Sequence, residues 1–234
     1  MQRYFAKEKH NDYFKLNDND IYHITTVMRM KNNDLIEIVY EKKVYICYVD
    51  IKNFNFKIKE EKDSDIKTHN IVLVIPLLKE QKMDLILEKS TELGVSEIIP
   101  IKAERSVIKL TNEQFQKKRE RWNKICKEAS EQSKRTDIPR ISDLTTIECL
   151  DCIDGVKLVC STVEKDKNLK FFVQSLKSCD KIVLAVGPEG GFTKGEEEKF
   201  IKSGFSKTTL GDRILRVETV PLFLLSILNY VYME

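Results

Sequence analysis

KIVLAVGPEGGFTKGE, residues 181–196, passes from an apolar run through a glycine-rich turn into a charged segment. The apolar run predicts a buried strand, and Thr193 with Glu196 forms the capping-box pattern that starts a helix. Glycine-rich turns between a strand and a helix often bind phosphates, because the helix N-terminus presents free backbone N–H groups. The stretch therefore predicts one strand–loop–helix unit of an α/β domain and leaves open what its loop binds.

The loop differs from the two common nucleotide-binding loops. Lys194 is followed by Gly195, whereas a Walker loop has Ser or Thr after its lysine. The order Gly–Pro–Glu–Gly–Gly also departs from the dinucleotide-binding pattern. Glu189 would repel a phosphate and suits a neutral, cationic or hydrogen-bond-donating ligand. A tight turn that binds nothing is the alternative for this loop taken alone.

A second loop, LGDRILRVET at 210–219, follows another predicted strand. It brings Gly211, Arg216 and Glu218 close together in sequence. Ligands of α/β sheets bind at the carboxyl ends of the strands. We therefore expect the two loops to meet in one cleft.

Strands and helices alternate after residue 70. NIVLVIP (70–76) and VSEIIPI (95–101) are apolar runs, and the amphipathic segment 79–94 between them ends at Gly94. Strands buried on both faces and separated by helices indicate a mostly parallel sheet. The further predicted elements are a helix over 112–135 capped by Thr111 and Gln114, a strand at 156–162, a helix near 167–177, a helix from Thr193 to Lys202, a strand within 206–219 and a final helix over 221–233.

The first 68 residues have a different pattern. Runs at 35–40, 44–51 and 54–59 are rich in β-branched and aromatic residues and are divided by short polar turns, which predicts a meander or small barrel. A short helical stretch at 23–30 precedes them. The polar segment 60–70 is interpreted as a linker, so that two domains are expected, over 1–68 and 69–234.

The composition predicts a cytoplasmic globular protein. Hydrophobic residues make up 41% and charged residues 33% of the 234 residues. The N-terminus is charged and has no signal-peptide pattern, and each apolar run is shorter than the ~18 residues of a membrane span. Cys149 and Cys152 are the one close cysteine pair, and a structural zinc site needs four ligands, so we expect neither a metal nor a membrane.

Positive charge is concentrated in one block. Residues 102–140 carry twelve basic and six acidic side chains, a net charge of +6, whereas the whole chain has +3. A clustered basic face is typical of proteins that bind polyanions. A solvated helix face explains the charge equally well.

Five segments together resemble the ribosomal RNA small-subunit methyltransferase E family of the knotted SPOUT methyltransferases. The segments are in the family's order and span the chain. They are HITTVMRMKNND (23–34), KEQKMDLILEKSTELGVSEIIPIKAERS (79–106), KRERWNKICKEASEQSKRTDIP (118–139), GPEGGFTKGE (187–196) and LGDRILRVET (210–219). Two departures are small: Lys82 stands where the family usually has Arg, and Val220 follows Glu218–Thr219.

The resemblance implies an N-terminal PUA-like β-barrel for RNA and a C-terminal α/β domain with a deep trefoil knot. It implies S-adenosyl-L-methionine as cofactor and methylation of uridine N3 in 16S rRNA at the decoding centre. It also implies a homodimer, with the assembled 30S subunit as the expected context of the rRNA. The cofactor pocket is assigned to Thr162, Gly187, Gly190, Gly191, Leu210, Gly211, Ile214 and Leu215.

Uridine N3 must lose its proton before it attacks, so the site needs a base or cations that stabilise the resulting charge. Arg216 is the candidate for charge stabilisation, and Glu218 or Glu189 is the candidate proton acceptor. The structural alternative is an ion pair of Arg216 with one of these glutamates that only fixes a loop. The candidate RNA contacts are His23, Arg29, Arg105, Lys118, Arg121, Gln132 and Arg135.

Structural roles are the alternatives for three of these contacts: Gln132 and Arg135 could cap a helix or lie at a dimer contact, and His23 could be a structural histidine. Two other functions stay open at this point. One is a SPOUT enzyme that methylates another RNA or another position, such as a tRNA ribose. The other is a non-catalytic RNA-binding module, which the presence of Arg216, Glu218 and the loop glycines disfavours.

Overall fold

A computed structural model describes residues 1–62, 70–176 and 181–232. The chain divides into two compact units. The first unit contains Met1–Lys67 and Lys127–Ile138, and the second contains Thr68–Cys126 and Pro139–Glu234. Most of the predicted linker at 60–70 lies outside the described residues, and its beginning is part of a strand.

The first unit contains a six-stranded sheet. Its strands are β1 (Arg3–Phe5), β2 (Glu8–His10), β3 (Tyr13–Lys15), β4 (Leu35–Tyr40), β5 (Lys43–Tyr48) and β6 (Phe56–Lys62). The strand order is β1-β4-β5-β6-β3-β2. The predicted meander β4-β5-β6 is confirmed. β6 begins later than predicted because Phe54 has a positive φ of 53°, which an extended strand does not allow.

One face of this sheet forms the core of the first unit. Phe14, Ile36, Cys47 and Phe56 are fully buried there and belong to one apolar cluster. The helical segment begins earlier than predicted, as α1 (Asp18–Tyr22), because the Asn17 side chain accepts a hydrogen bond from the backbone of Asp20. A π-helical turn over His23–Val27 follows it.

The second unit contains a parallel six-stranded sheet. Its strands are β7 (Ile71–Pro76), β8 (Glu97–Ile101), β9 (Arg140–Ile141), β10 (Val156–Cys160), β11 (Ile182–Ala185) and β12 (Ser206–Thr208). The strand order is β12-β10-β11-β7-β8-β9, and every pairing is parallel. The predicted parallel sheet is thereby confirmed.

Helices complete this unit: α2 (Glu80–Glu92), the first part of α3 (Asn112–Gln132), α4 (Leu169–Ser175), α5 (Lys194–Lys202) and α6 (Thr219–Tyr232). Both predicted capping boxes are present, at Thr111 with Gln114 and at Thr193 with Glu196. β7 and β11 are buried on both faces, and each face belongs to its own apolar cluster. The sheet is therefore covered on both sides, as parallel sheets require.

Neither a membrane-spanning helix nor a metal-binding cluster occurs in the described ranges. No helix among them is long and apolar enough to cross a membrane. They also hold no group of three or more His, Cys, Asp and Glu side chains suited to a metal ion. Cys149 and Cys152 are exposed free thiols.

Candidate functional site

Four neighbouring strands end at one edge of the parallel sheet. β7, β10, β11 and β12 run in the same direction, so the segments that follow them meet at their carboxyl ends. A cavity of about 820 Å³ lies there. Its lining comes from three segments, 160–168 at the end of β10, 186–192 after β11 and 209–217 after β12. Lys82 of α2, Glu197 of α5 and Val220 of α6 complete it. The two loops expected to meet do line one cavity.

The loop after β11 is a tight turn closed by a hydrogen bond from the Gly191 backbone N–H to the Pro188 carbonyl, at 2.8 Å. Gly191 has a φ of +68°, and a Cβ placed there would meet nothing within 4 Å. Glycine is needed here for its backbone conformation, and the space in front of it is open. Gly187 and Gly191 line the cavity.

Gly190 plays a different role in the same loop. A Cβ on Gly190 would lie 3.3 Å from Arg105 Cδ, and the Arg105 guanidinium donates to the Gly190 carbonyl at 2.7 Å. Arg105, predicted as an RNA contact, is thus packed along the loop. Gly190, predicted as a cofactor contact, faces this arginine and is not among the cavity-lining residues of the described chain.

The loop after β12 supplies the apolar wall of the cavity. Leu210 and Leu215 are half-buried against the core, and Ile214 is 83% exposed at the cavity. Gly211 has a φ of +108° with open space beside it. The loop ends where α6 begins at Thr219, two residues before the predicted start. Pro221 then lies in the first turn of the helix, where its missing N–H group is tolerated.

A third loop, after β10, was represented in the sequence prediction by Thr162 alone. Ser161 Oγ donates to buried Glu197 at 2.7 Å and accepts from the Val163 backbone N–H at 3.2 Å. Glu164 accepts the backbone N–H groups of three successive residues, which lowers its pKa. The loop is therefore pre-organised, although neither Ser161 nor Glu197 belongs to a recognisable motif.

Lys82 joins two of the predicted catalytic residues. Its Nζ lies 2.7 Å from Glu189 Oε1 and 3.2 Å from Glu218 Oε2. The hydrogen bond to Lys82 lowers the pKa of Glu189. A backbone hydrogen bond and the same lysine lower the pKa of Glu218. The ion-pair alternative from the sequence had Arg216 as the cation, whereas the structure places Lys82 between the carboxylates.

Arg216 lies at the cavity with an exposed side chain. Its positive charge also contributes to the lowered pKa of Glu218. The site thus combines two ionised carboxylates with two cations, beside an apolar wall and two open glycines. This arrangement can hold a ligand with apolar and cationic parts, and it can accept a proton next to stabilising positive charge.

The remaining predicted RNA contacts fall into two groups. In the second unit, Arg121 makes a two-point ion pair with Asp84 at 2.8 and 2.6 Å, and Lys118 pairs with Glu80 at 3.2 Å. Part of the basic block is therefore neutralised by α2. In the first unit, the predicted contacts have varied surroundings: His23 bonds the Tyr4 hydroxyl at 2.9 Å, Arg135 is buried against Asp137, and Arg29 and Gln132 are exposed.

The chain is similar to known proteins over nearly its whole length. A family model described as an RNA methyltransferase domain matches residues 64–229. The ribosomal RNA small subunit methyltransferase E of Bacillus subtilis is 34% identical, over 98% of this chain and 96% of the relative. The protein of the same description from Mesomycoplasma hyopneumoniae is 32% identical, over 97% and 98%.

Two solved structures also match this chain over nearly its whole length. One is a ribosomal RNA small subunit methyltransferase E from Neisseria gonorrhoeae bound to S-adenosyl methionine, with a TM-score of 0.88 and 30% identity over 99% of this chain and 98% of that one. The other is a Legionella pneumophila protein in complex with the bound cofactor SAM, with a TM-score of 0.88 and 25% identity over 98% and 97%.

Proposed function

The chain belongs to the ribosomal RNA small subunit methyltransferase E family, and we infer from this that it transfers a methyl group from S-adenosyl-L-methionine to ribosomal RNA. The observation that carries the inference is the cavity in which loops 186–192 and 209–217 meet at the carboxyl ends of adjacent parallel strands. We propose uridine N3 in 16S rRNA as the methyl acceptor.

The residues at the cavity fit this cofactor. Leu210, Ile214 and Leu215 offer an apolar wall for the adenine ring, and the open glycines Gly191 and Gly211 let the ligand approach the backbone. The cofactor carries no phosphate, which agrees with a loop that contains Glu189. When bound, it supplies a methyl group on a positively charged sulfur. We propose that Thr162 and Gly187 complete this pocket, and that Gly190 acts through Arg105.

The protein's part in the reaction is to position the uracil and to manage the N3 proton. Nitrogen attacks with a lone pair that becomes available when the N3–H proton leaves. We propose Glu218 as the acceptor of this proton, because its side chain is partly buried and is kept ionised by its neighbours. Arg216 stabilises the negative charge that then spreads onto the uracil oxygens.

Glu189 has a positioning role in this scheme. Its carboxylate is half exposed and is tied to Lys82, so it fixes the glycine loop to α2 and holds Lys82 near Glu218. A positioned proton acceptor contributes typically about 10²- to 10⁴-fold to a rate. Lys82 helps to lower the pKa of Glu218. The carboxylate is therefore a weaker base, but it is ionised at neutral pH.

We also propose several finer features of the fold and of its assembly, because the chain belongs to this family. These are a deep trefoil knot formed by the segments around 186–219, a PUA-like barrel for the first unit, a homodimer, and action in the cytoplasm on the assembled 30S subunit. Predicted domain boundaries at 1–68 and 69–234 belong to this proposal. The RNA contacts of His23, Arg29, Arg105, Lys118, Arg121, Gln132 and Arg135 belong to it as well.

The test is methyl transfer from labelled cofactor to 30S subunits, naked 16S rRNA and tRNA, followed by nucleoside analysis. We expect 3-methyluridine from 30S subunits. Label in tRNA or in a 2′-O-methyl nucleoside would disprove the proposed position and favour another RNA methyltransferase. Cofactor binding without transfer to any RNA would favour a non-catalytic RNA-binding module.

A further inference from the structure

A row of paired side chains crosses the sheet of the first unit. Tyr13 of β3 is opposite Lys57 of β6, and Lys57 is opposite Tyr48 of β5. Directly opposite residues of antiparallel strands project from the same face of a sheet. Tyr13, Lys57 and Tyr48 therefore form one row, in which a lysine stands between two tyrosines.

This row lies on the solvent face of the sheet. The neighbouring residues Phe14, Phe56 and Cys47 are buried in the core on the opposite face. Tyr48 is 37% exposed, and the side chain of Lys57 is 70% exposed. The core of the first unit explains the buried face and gives no reason for two aromatic rings on the other.

The row continues onto the next strand. His10 of β2 is opposite Tyr13, and their rings are stacked, with centroids 5.4 Å apart and an angle of 19° between planes. The platform is defined as His10, Tyr13, Lys57 and Tyr48, one residue from each of β2, β3, β6 and β5. It offers three flat aromatic rings and one cation.

A cavity of about 500 Å³ adjoins the platform, with Tyr13, Tyr48 and Lys57 in its wall. Asn55 is also in the wall, and its buried Oδ1 has no hydrogen-bond partner within the described part of the chain. A buried acceptor without a partner is costly, on the order of 1–3 kcal/mol. A ligand N–H group that enters the cavity would satisfy this oxygen.

The two carboxylates in the cavity wall, Asp50 and Asp12, already have partners. Asp50 accepts from the Lys52 backbone and from the Asn53 side chain, at 3.0 and 2.8 Å, and these bonds lower its pKa. Asp12 Oδ2 lies 3.6 Å from Lys57 Nζ, and both side chains are exposed. Such an exposed ion pair contributes little to stability, so Lys57 can exchange it for a phosphate. The carboxylates disfavour a phosphate inside the cavity, so a base edge fits there and a phosphate fits at Lys57 outside.

We propose that the platform and its cavity bind unpaired nucleotides of the substrate RNA. Bases stack on Tyr13 and Tyr48, Lys57 contacts a phosphate, and Asn55 Oδ1 accepts a hydrogen bond from the edge of one base. The proposal is limited to single strands because a duplex hides the faces of its bases, whereas unpaired bases can stack on aromatic side chains. The inference rests on the proposed function, since it adds a second RNA contact remote in sequence from the methyl-transfer residues.

The test is RNA binding by the full chain without cofactor, measured as fluorescence anisotropy of a labelled ten-nucleotide oligouridine and of a duplex of equal length. We expect Tyr48→Ala to weaken single-strand binding about tenfold, in the range of one lost base stack. Tyr48→Phe keeps the ring and should bind within about twofold of the wild type. Tyr22→Ala removes an exposed tyrosine of α1 outside the row and should change nothing.

Salt dependence separates the two kinds of contact. Lys57→Ala should reduce the slope of log K against log salt by about 0.7, the value for one phosphate contact on a single strand, and Tyr48→Ala should leave the slope unchanged. Unchanged binding of Tyr13→Ala and Tyr48→Ala, or duplex binding with the same tyrosine dependence, would overturn the proposal. Methyl transfer assayed on the same preparations distinguishes the two failures. If the wild-type protein binds RNA through the tyrosines but transfers no methyl group, the proposed function is contradicted. If it transfers methyl groups but binds RNA independently of the tyrosines, the platform is contradicted.

Discussion

Lys82 and Glu189 form an ion pair 2.7 Å long that ties the glycine loop after β11 to helix α2. The same ammonium group lies 3.2 Å from Glu218, in the segment after β12. One side chain therefore holds together two loops that are distant in sequence. Its loss should affect the site much more than the stability of the fold, since the pair is partly exposed.

Lys82→Met should reduce kcat for methyl transfer by about 10²-fold, the lower end of the effect of one positioned charged group. Both carboxylates lose their common partner, so the loops no longer share a fixed geometry. Lys82→Arg keeps the charge and should retain most of the activity. Steady-state kinetics with unfolding curves for both variants measures this, and equal activity of Lys82→Met and the wild type would contradict the positioning role.

Glu218→Gln should change the pH profile as well as the rate. In the wild type the pKa of Glu218 lies below its ordinary value of 4.5, so the acceptor is ionised across neutral pH and kcat should be flat there. Without it, attack requires uridine that has ionised by itself, and that fraction rises about tenfold per pH unit. We expect kcat of the variant to fall by about 10² at pH 7 and to recover toward pH 9.

Glu189→Gln is the matched control for this profile, because Glu189 shares Lys82 and has no assigned proton-transfer role. It should lower kcat without introducing the pH slope. Identical slopes in Glu218→Gln and the wild type would exclude Glu218 as the acceptor. A slope only in Glu189→Gln would exchange the two roles.

Gly191→Ala and Gly195→Ala both add one methyl group in the same segment, but they should differ in effect. The first should weaken cofactor binding, and the second should stabilise the protein. Gly191 has a φ of +68° and faces the cavity, so Ala strains the loop and enters the ligand space. Gly195 lies in the first turn of α5 with nothing closer than 4.0 Å, and Ala there should stabilise the helix by about 0.5–1 kcal/mol. Calorimetric cofactor binding should weaken only for Gly191→Ala; equal affinities would refute the contact.

Glu131 should make the stability of the protein depend on pH near neutrality. Burial raises its pKa to about 7, despite Lys127 at 3.0 Å, and Asp20 adds to the shift. The folded state therefore holds a proton that the unfolded state loses above pH 4.5. Stability should fall by about 1–3 kcal/mol as pH rises from 5 to 8. Urea unfolding at these two values checks this, and Glu131→Gln should flatten the difference.

Local signals were strong in the second unit. Continuous apolar runs marked β7, β8 and β11, and the two capping boxes marked the starts of α3 and α5. The strands β1, β2 and β3 were not predicted, because each has three residues and carries charged side chains among its aromatic ones. Strand order could not be predicted either, since the neighbouring strands β10 and β12 are separated in sequence by three other elements, α4, β11 and α5.

The candidate site was predictable where residues cluster in sequence. The loops at 187–196 and 210–219 carry their glycines and charges within ten residues each. Lys82, Ser161 and Glu197 carry no such signal, because they become neighbours of the site through pairing of distant strands. Lys82 stood out only as a departure from the resembling family's Arg, which did not indicate that it joins two carboxylates.

The pairing of β11 with β7 has a consequence for how the chain folds. Ile71 is opposite Ile182 and Val74 is opposite Ala185, so these contacts close a loop of more than a hundred residues. Contacts of such long range form late, and parallel sheets built from them assemble slowly. The cavity needs this pairing, so cofactor affinity should appear only with the last kinetic phase of refolding.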